Sequence, residues 1–310
     1  MEIFCSAGER IYVITGATGN TGRPAADYLL AAGEKIRVVG RDASRLQQFV
    51  DQGAEPVLGD VSDAEFMTQA FTGATGVFLV IPQTVRLENA REQQDRISTA
   101  YATAMANAGV EYAVTVSSLG AQHAAKTGPI LGLHNMEEKL NAVPGLNVLH
   151  VRAGHFMENL LMSIEPIRML GLMPGGFPGD LPLPMIAAKD IGEYAAGRLV
   201  RRDFSAHSSM ELYGPRDISM KEAADILGAA IGKPRLSYLK APMMMIEPAL
   251  VRLGLPKSSV KSIIEMWKGV NDGLIRPTEV RTRENCMPST LEWFAREVFA
   301  PAFRQKETAA

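Results

Sequence analysis

Three glycines at a spacing of three, Gly16, Gly19 and Gly22, follow the strand-forming run Ile11-Tyr-Val-Ile14 and precede Arg23-Pro24 and an alanine-rich stretch. A strand, a tight turn and a helix start in that order can hold a diphosphate. Glycine permits positive φ and puts no Cβ between backbone and ligand. The helix start offers unpaired N–H groups and a partial positive charge, and Pro24 suits a first turn, where its missing N–H costs nothing. The spacing points to a dinucleotide held by Gly16, Thr18, Gly19, Asn20, Thr21 and Gly22. A glycine-rich turn that binds nothing shares the local pattern; the alternation downstream favours the dinucleotide. The next strand, Ile36 to Val39, ends without the acidic residue that would hold a ribose 2′-OH, and Arg41 stands there instead. A guanidinium at that place attracts a 2′-phosphate and stacks on adenine, with Arg45 one turn on, so NADP(H) is expected over NAD(H). A solvated Arg41 is the plainer alternative. Asp42 reads as a helix N-cap, and Asp60-Val61 either flanks adenine or turns the chain. His134 and Glu138, one helical turn apart, face the same way. A histidine oriented by a carboxylate can donate a proton; the same pair can simply pack a helix on a sheet.

The elements that must position these residues alternate. Helix one runs from about Thr21 to Ala32 and stops at Gly33. Helices over 43–52, from Ser62 or Asp63 to Phe71, over 87–108 and through His134–Leu140 separate strands at 55–58, 77–81, 112–116 and 147–151. Val77-Phe-Leu-Val-Ile81 is apolar throughout, as a strand covered on both faces should be. Six strands separated by helices predict an α/β fold, a doubly wound parallel Rossmann sheet, with the glycine turn at its carboxyl edge. Beyond Val151 the pattern changes to a smaller, mostly helical substrate-side region. Residues 1–155 read as the nucleotide-binding domain and 156–310 as the substrate side, interleaved with it. Prolines and glycines in 171–184 argue against a helix or inner strand and suggest a lid or a linker. Helices follow at 188–200, after Ser219-Met-Lys-Glu222, at 243–254, at 257–270 and at 290–299 after Ser289-Thr-Leu-Glu292; a short strand spans Met210–Tyr213. Met243–Met245 read as core filler rather than a binding surface.

Composition narrows the class. With 32 basic and 34 acidic residues the formal charge is −2, without a basic run, so neither nucleic acid nor a membrane is an expected partner. Cys5 and Cys286 have no Cys or His at ligand spacing, which argues against a metal site and fits a reducing cytoplasm. No apolar run reaches the roughly 18–20 residues of a membrane span.

Gly16-Ala-Thr-Gly-Asn-Thr-Gly22, Gly59-Asp60, Val116-Ser-Ser-Leu-Gly120, Arg152-Ala-Gly-His-Phe-Met-Glu-Asn159 and Pro288-Ser-Thr-Leu-Glu-Trp-Phe294 together resemble the NmrA-like family of atypical short-chain dehydrogenase/reductase proteins. The resemblance implies NADP or NAD binding on a Rossmann fold. It implies either an NADPH-dependent reductase of quinone-like, azo or other conjugated acceptors, or a non-catalytic redox sensor acting through a protein partner. It also implies that Ser117 and Ser118 contact nicotinamide or substrate, their alternative being to cap the next segment. Ile81, Pro82 and Gln83, after strand four, should border the cofactor's ribose and diphosphate. The wider superfamily uses Tyr-x-x-x-Lys to move the substrate proton. None of the seven tyrosines here has lysine four residues on, and His134-Asn-Met-Glu-Glu138 occupies that stretch. Acceptors that take hydride directly remain possible. His155, Phe156 and Asn159, with 171–184 and Trp267, would form an apolar wall for a small flat aromatic substrate, or belong to the core. A homodimer and a regulatory protein partner both stay open.

Overall fold

The computed structural model describes residues 10–82 and 85–305. The chain alternates as expected through β1 (Ile11–Thr15), α1 (Gly22–Ala31), β2 (Lys35–Gly40), α2 (Ala43–Val50), β3 (Glu55–Leu58), α3 (Ala64–Phe71), β4 (Gly76–Leu79), α4 (Ala90–Ala108), β5 (Tyr112–Ser118), α5 (Leu131–Asn141) and β6 (Asn147–Ala153). It continues through β7 (His155–Phe156), α6 (Ile164–Leu170), β8 (Leu172–Gly175), β9 (Leu183–Ile186), α7 (Ala188–Arg201), β10 (His207–Leu212), β11 (Asp217–Ile218) and α8 (Met220–Ala230). The last elements are β12 (Ser237–Lys240), α9 (Met243–Arg252), α10 (Lys257–Asn271), α11 (Leu291–Phe294) and α12 (Ala300–Gln305), the final two joined by a π-helical turn.

One sheet carries the order β10-β6-β5-β4-β1-β2-β3, and every ladder in it is parallel. Alternate residues serve opposite faces. Tyr12, Ile14, Val38, Val114 and Val151 meet α1, α2 and α7, whereas Val13, Val39, Val77 and Val148 meet α3, α4 and α5. Two-sided burial is why these strands read as unbroken apolar runs. The order reverses between β1 and β4, where the buried Thr15 hydroxyl donates to Phe78 O (3.1 Å) and accepts from Val80 N (3.0 Å). The glycine loop therefore opens at the topological switch point.

The sheet has seven strands rather than six, because the short strand expected near Met210 lies beside β6 as its outer neighbour. The proline-rich segment 171–184 also corrects the expectation, since β8 pairs with β12 and β9 lies between β7 and β11. These ladders are two to four residues long, so Pro174 and Pro184 remove one N–H each and leave the rest intact. A second core, built on Met157, Ile167, Phe177, Met185, Leu227 and Phe294, lies beneath them. Met244 and Met245 are not core filler; both face solvent. Asp42, Asp63 and Ser219 cap their helices as read, but Thr290, not Ser289, caps α11, and Ser289 binds Asp190 instead. No described helix is long and apolar enough to cross a membrane.

His150 on β6 is buried between Thr115 of β5, 2.8 Å from Nδ1, and Asn141 Oδ1, 3.0 Å from Nε2. The Asn141 contact places a proton on Nε2, so Nδ1 accepts from the Thr115 hydroxyl. Burial holds the imidazole down at about 4, against 6.5 in a free chain. Between these values the unfolded state binds the extra proton. The stabilisation is therefore complete above pH 6.5 and is lost as pH falls toward 4, by roughly 3 kcal/mol. Urea titrations at about pH 7.5 and pH 5 should show a loss larger by roughly 2 kcal/mol in the native chain than in His150→Gln, since any other group that titrates in this window adds to both. An equal loss in both would assign the acid sensitivity to other groups.

Candidate functional site

The three glycines of the loop do different work. Gly16 has φ of +63°, and a Cβ there would lie 2.4 Å from Val80 Cγ1. Gly22 packs so closely on the turn that a Cβ would sit 2.2 Å from Gly16 O. Those two positions are closed by sterics within the chain. Gly19, whose N–H bonds Gly16 O at 2.8 Å, is exposed, as is Asn20, and Thr18 is half-buried. The tight turn and close packing thus use the first and third glycines, whereas the second is exposed and carries no side chain to obstruct an approaching diphosphate. Thr21 does not cap α1 with its side chain, and the first turn carries no acidic residue. The helix start is electrostatically open to an anion. This cradle fits a dinucleotide.

Arg41 follows β2 and Arg45 lies in the first turn of α2; both are exposed, and Asp42 between them is spent on Ser44 N and Oγ. Asp60 accepts from Ser62 N (2.8 Å) and Ser62 Oγ (2.9 Å), so its carboxylate closes a turn at the end of β3. The backbone bond from Ser62 holds its pKa down, with Arg41 and Arg96 adding to the effect. Val61 is half-buried, Ile81 buried and Pro82 exposed at the ends of β3 and β4; Gln83 lies outside the described residues. A groove of about 670 Å³ beside this end runs between α3, α4 and α5, lined by Ser62, Arg91, Asp95, Arg96, Thr99 and Asn135 among others, and does not reach the glycine loop.

Ser117 is not free to meet a substrate. Its buried hydroxyl donates to Glu137 Oε1 at 2.5 Å, and Arg152 grips the same carboxylate through Nε (3.1 Å) and Nη2 (2.5 Å). Burial alone would lower the Arg152 pKa, but the Glu137 contact outweighs it and raises it. Ser118 donates to Leu119 O at 3.0 Å. His134 also departs from expectation. Its Nδ1 donates to Ala121 O at 2.8 Å, while Glu138 is exposed and does not orient it. Nε2 is the nitrogen left for proton exchange. Neither Glu137 nor the role of Arg152 follows from local spacing; the signal was that Glu137 lies about 100° round the helix from Glu138, one turn from the apolar Leu133 and Leu140.

The motif after β6 is largely structural. A Cβ on Gly154 would lie 2.1 Å from Pro184 O, and Glu158 accepts from Ala188 N at the start of α7. Phe156 packs in part on the sheet core, and Asn159 is exposed. His155 joins an aromatic cluster. Its ring meets Phe177 edge-on at 5.7 Å between centroids, and Phe177 meets Trp267 at 5.9 Å. Tyr238 pins Phe177 by accepting from its N–H (3.2 Å) and donating to its carbonyl (2.8 Å). Desolvation pushes His155 down to about 4, although its edge stays partly accessible, so the wall is uncharged at neutral pH. Among the described residues no group of His, Cys, Asp and Glu is placed to hold a metal ion.

The model of the NmrA-like family matches residues 9–294. Over 259 residues the chain is 26% identical to an NAD(P)H azoreductase of Xenophilus azovorans, covering 82% of this chain and 85% of that one. Its fold is similar to an NADPH-dependent quinone oxidoreductase of Escherichia coli solved with NADPH (TM-score 0.77, 21% identity, 93% of this chain and 99% of that chain). It is also similar to the triphenylmethane reductase of Citrobacter sp. solved with NADP(H) (TM-score 0.71, 17% identity, 93% and 99%).

The Glu137–Arg152 pair gives a direct energetic expectation. Removing one partner strands a buried charge and should cost about 3–5 kcal/mol. Glu137→Met and Arg152→Met singly should each lower the urea midpoint strongly, and the double variant should lose less than the sum. Strict additivity in that cycle would show that the pair does not act as a unit.

Proposed function

The chain belongs to the NmrA-like family, and we propose that it is an NADPH-dependent reductase of flat, conjugated acceptors such as quinones or azo compounds. The observation that carries this reading is one juxtaposition. The exposed Gly19 backbone follows β1, and His155, the first member of the uncharged His155–Phe177–Trp267 wall, follows β6, at the same carboxyl edge of one parallel sheet. The names of the azoreductase and of the quinone and triphenylmethane reductases support it, since each is a reductase and their named substrates are conjugated.

A nicotinamide dinucleotide, when bound, supplies the hydride; the protein supplies binding, orientation and a dry surface. The backbone from Thr18 to Gly22 holds the diphosphate, and Arg41 with Arg45 meets the 2′-phosphate. His155, Phe177 and Trp267 orient a planar acceptor and exclude water from one of its faces. The reduced acceptor is an anion or amine that takes its proton from water, or from His134 Nε2 when the ring carries a proton on both nitrogens. The Tyr-x-x-x-Lys pair, missing from this sequence, is then not needed. Ser117 and Glu137 stay out of the chemistry and hold the end of β5 in place.

Titrating the protein with NADPH and NADH and then adding menadione or methyl red tests this reading. The expected outcome is tighter binding of NADPH and its rapid oxidation once an acceptor is present. Binding of NADPH without turnover of any acceptor would replace the reductase with a cofactor-binding sensor. Arg41→Asp should weaken NADPH by about 1.5–3 kcal/mol, the worth of a charge-assisted hydrogen bond, and leave NADH nearly unchanged. Equal weakening of both would remove Arg41 from the 2′-phosphate.

A further inference from the structure

The stretch from Lys233 to Lys261 carries a charge unlike the rest of the chain. It holds six basic residues, Lys233, Arg235, Lys240, Arg252, Lys257 and Lys261, and one acidic residue, Glu247, a formal +5 in a chain of −2. All six cations are exposed, and none enters an ion pair among the described residues.

Large apolar side chains face solvent in the same stretch: Met244 (82% exposed), Leu253 (67%), Met245 (64%) and Leu239 (53%). The α9 helix buries only Ile246 among its described side chains. Helical spacing sets Met245, Pro248, Ala249 and Arg252 on one outward face, with Met244 beside Pro248 and Leu253 beside Ala249. A helix that serves only to cover a core would turn this stripe inward. The apolar surface extends to Met169 and Leu170, exposed just before β8, the strand that pairs with β12.

Charge selects among the surfaces that could cover this face. A second copy of the chain would bring the same +5 against itself across a two-fold axis. Protein interfaces deplete lysine at their cores. Exposed apolar side chains in one stretch with exposed Lys and Arg match a bilayer whose headgroups are anionic, where the former enter the acyl boundary and the latter meet lipid phosphates. We propose that α9 and β12 dock this protein on an anionic lipid bilayer through Met244, Met245, Leu253 and Leu239, with Lys240 and Arg252 on the headgroups. The whole-chain charge of −2 conceals this local excess, and the proposal corrects the expectation drawn from composition that no membrane is a partner. Tyr238 links the surface to the site. It lies on β12 beside Leu239 and is hydrogen-bonded to Phe177, so docking brings the aromatic wall to the bilayer face. The docking itself does not depend on which acceptor is reduced, and its test uses neither cofactor nor acceptor.

The test is co-sedimentation of the full chain with vesicles of phosphatidylcholine alone and with about 30% phosphatidylglycerol, a content chosen to give an anionic surface. Binding should occur on the second and not the first, and should weaken as salt rises. Each cation near such a surface is worth roughly fivefold in affinity, so Lys240→Ser/Arg252→Ser should lose about 25-fold. Met244→Ser/Met245→Ser should also weaken binding, which attraction by charge alone would not produce. Failure to bind anionic vesicles, equal binding to neutral ones, or affinities unchanged in both variants would overturn the proposal. So would concentration-dependent self-association in sedimentation equilibrium that Met244→Ser/Met245→Ser abolishes, since a second copy would then occupy the face.

Discussion

Where the chain leaves β6 there is room for backbone and nothing more. Gly154 passes so close to Pro184 O that no side chain could be accommodated, and its N–H is taken by Leu212 O at 3.0 Å. The residues on either side of this crossing reach in opposite directions. Arg152 turns back to Glu137 under the end of β5, and Glu158 reaches forward to the first N–H of α7. One short segment thus fastens the nucleotide-binding sheet to the layer that carries the aromatic wall.

Buried carboxylates serve as fasteners elsewhere as well. Glu211 on β10 accepts from Thr278 N (2.8 Å), Thr278 Oγ1 (2.6 Å), Glu279 N (3.0 Å) and the Tyr213 hydroxyl, and so holds the strap that returns from α10. Burial would raise its pKa, but these hydrogen bonds prevail and lower it. Asp190 takes both Ser289 N (2.9 Å) and Ser289 Oγ (2.7 Å), which seats the approach to α11 against α7. An ionised carboxylate accepts several bonds and donates none, so it can gather N–H groups from a loop that has no ladder of its own.

The legible parts of the fold were those decided by local rules. Gly16, Gly22, Asp42 and the two-sided strands follow from sterics, capping and continuous apolarity, and they stand where the sequence places them. The rest depended on residues far apart in the chain. Helical spacing favoured Glu138 as the partner of His134, whereas the partner is the carbonyl of Ala121, a group every residue carries and no sequence pattern marks. Ser117 looked available because its neighbour Glu137 comes from a different element. Pro174 and Pro184 spoke against strands, and only the shortness of the ladders makes them harmless. Met244 and Met245 read as core filler because methionine commonly fills gaps between helices, and nothing local in the sequence marks a helix that leaves them uncovered.

The outermost strand of the sheet is made late. Residues 207–212 pair with β6, yet 53 residues separate the end of β6 from the start of β10. While the chain is still being synthesised, β6 has a neighbour on one side only and presents an open row of N–H and C=O groups on the other. Such an edge carries the apolar Leu149, Val151 and Ala153 on one face and invites pairing with another nascent chain. Completing the seven-stranded sheet therefore needs residues well beyond β6, and a fragment ending soon after β6 would keep that edge permanently exposed.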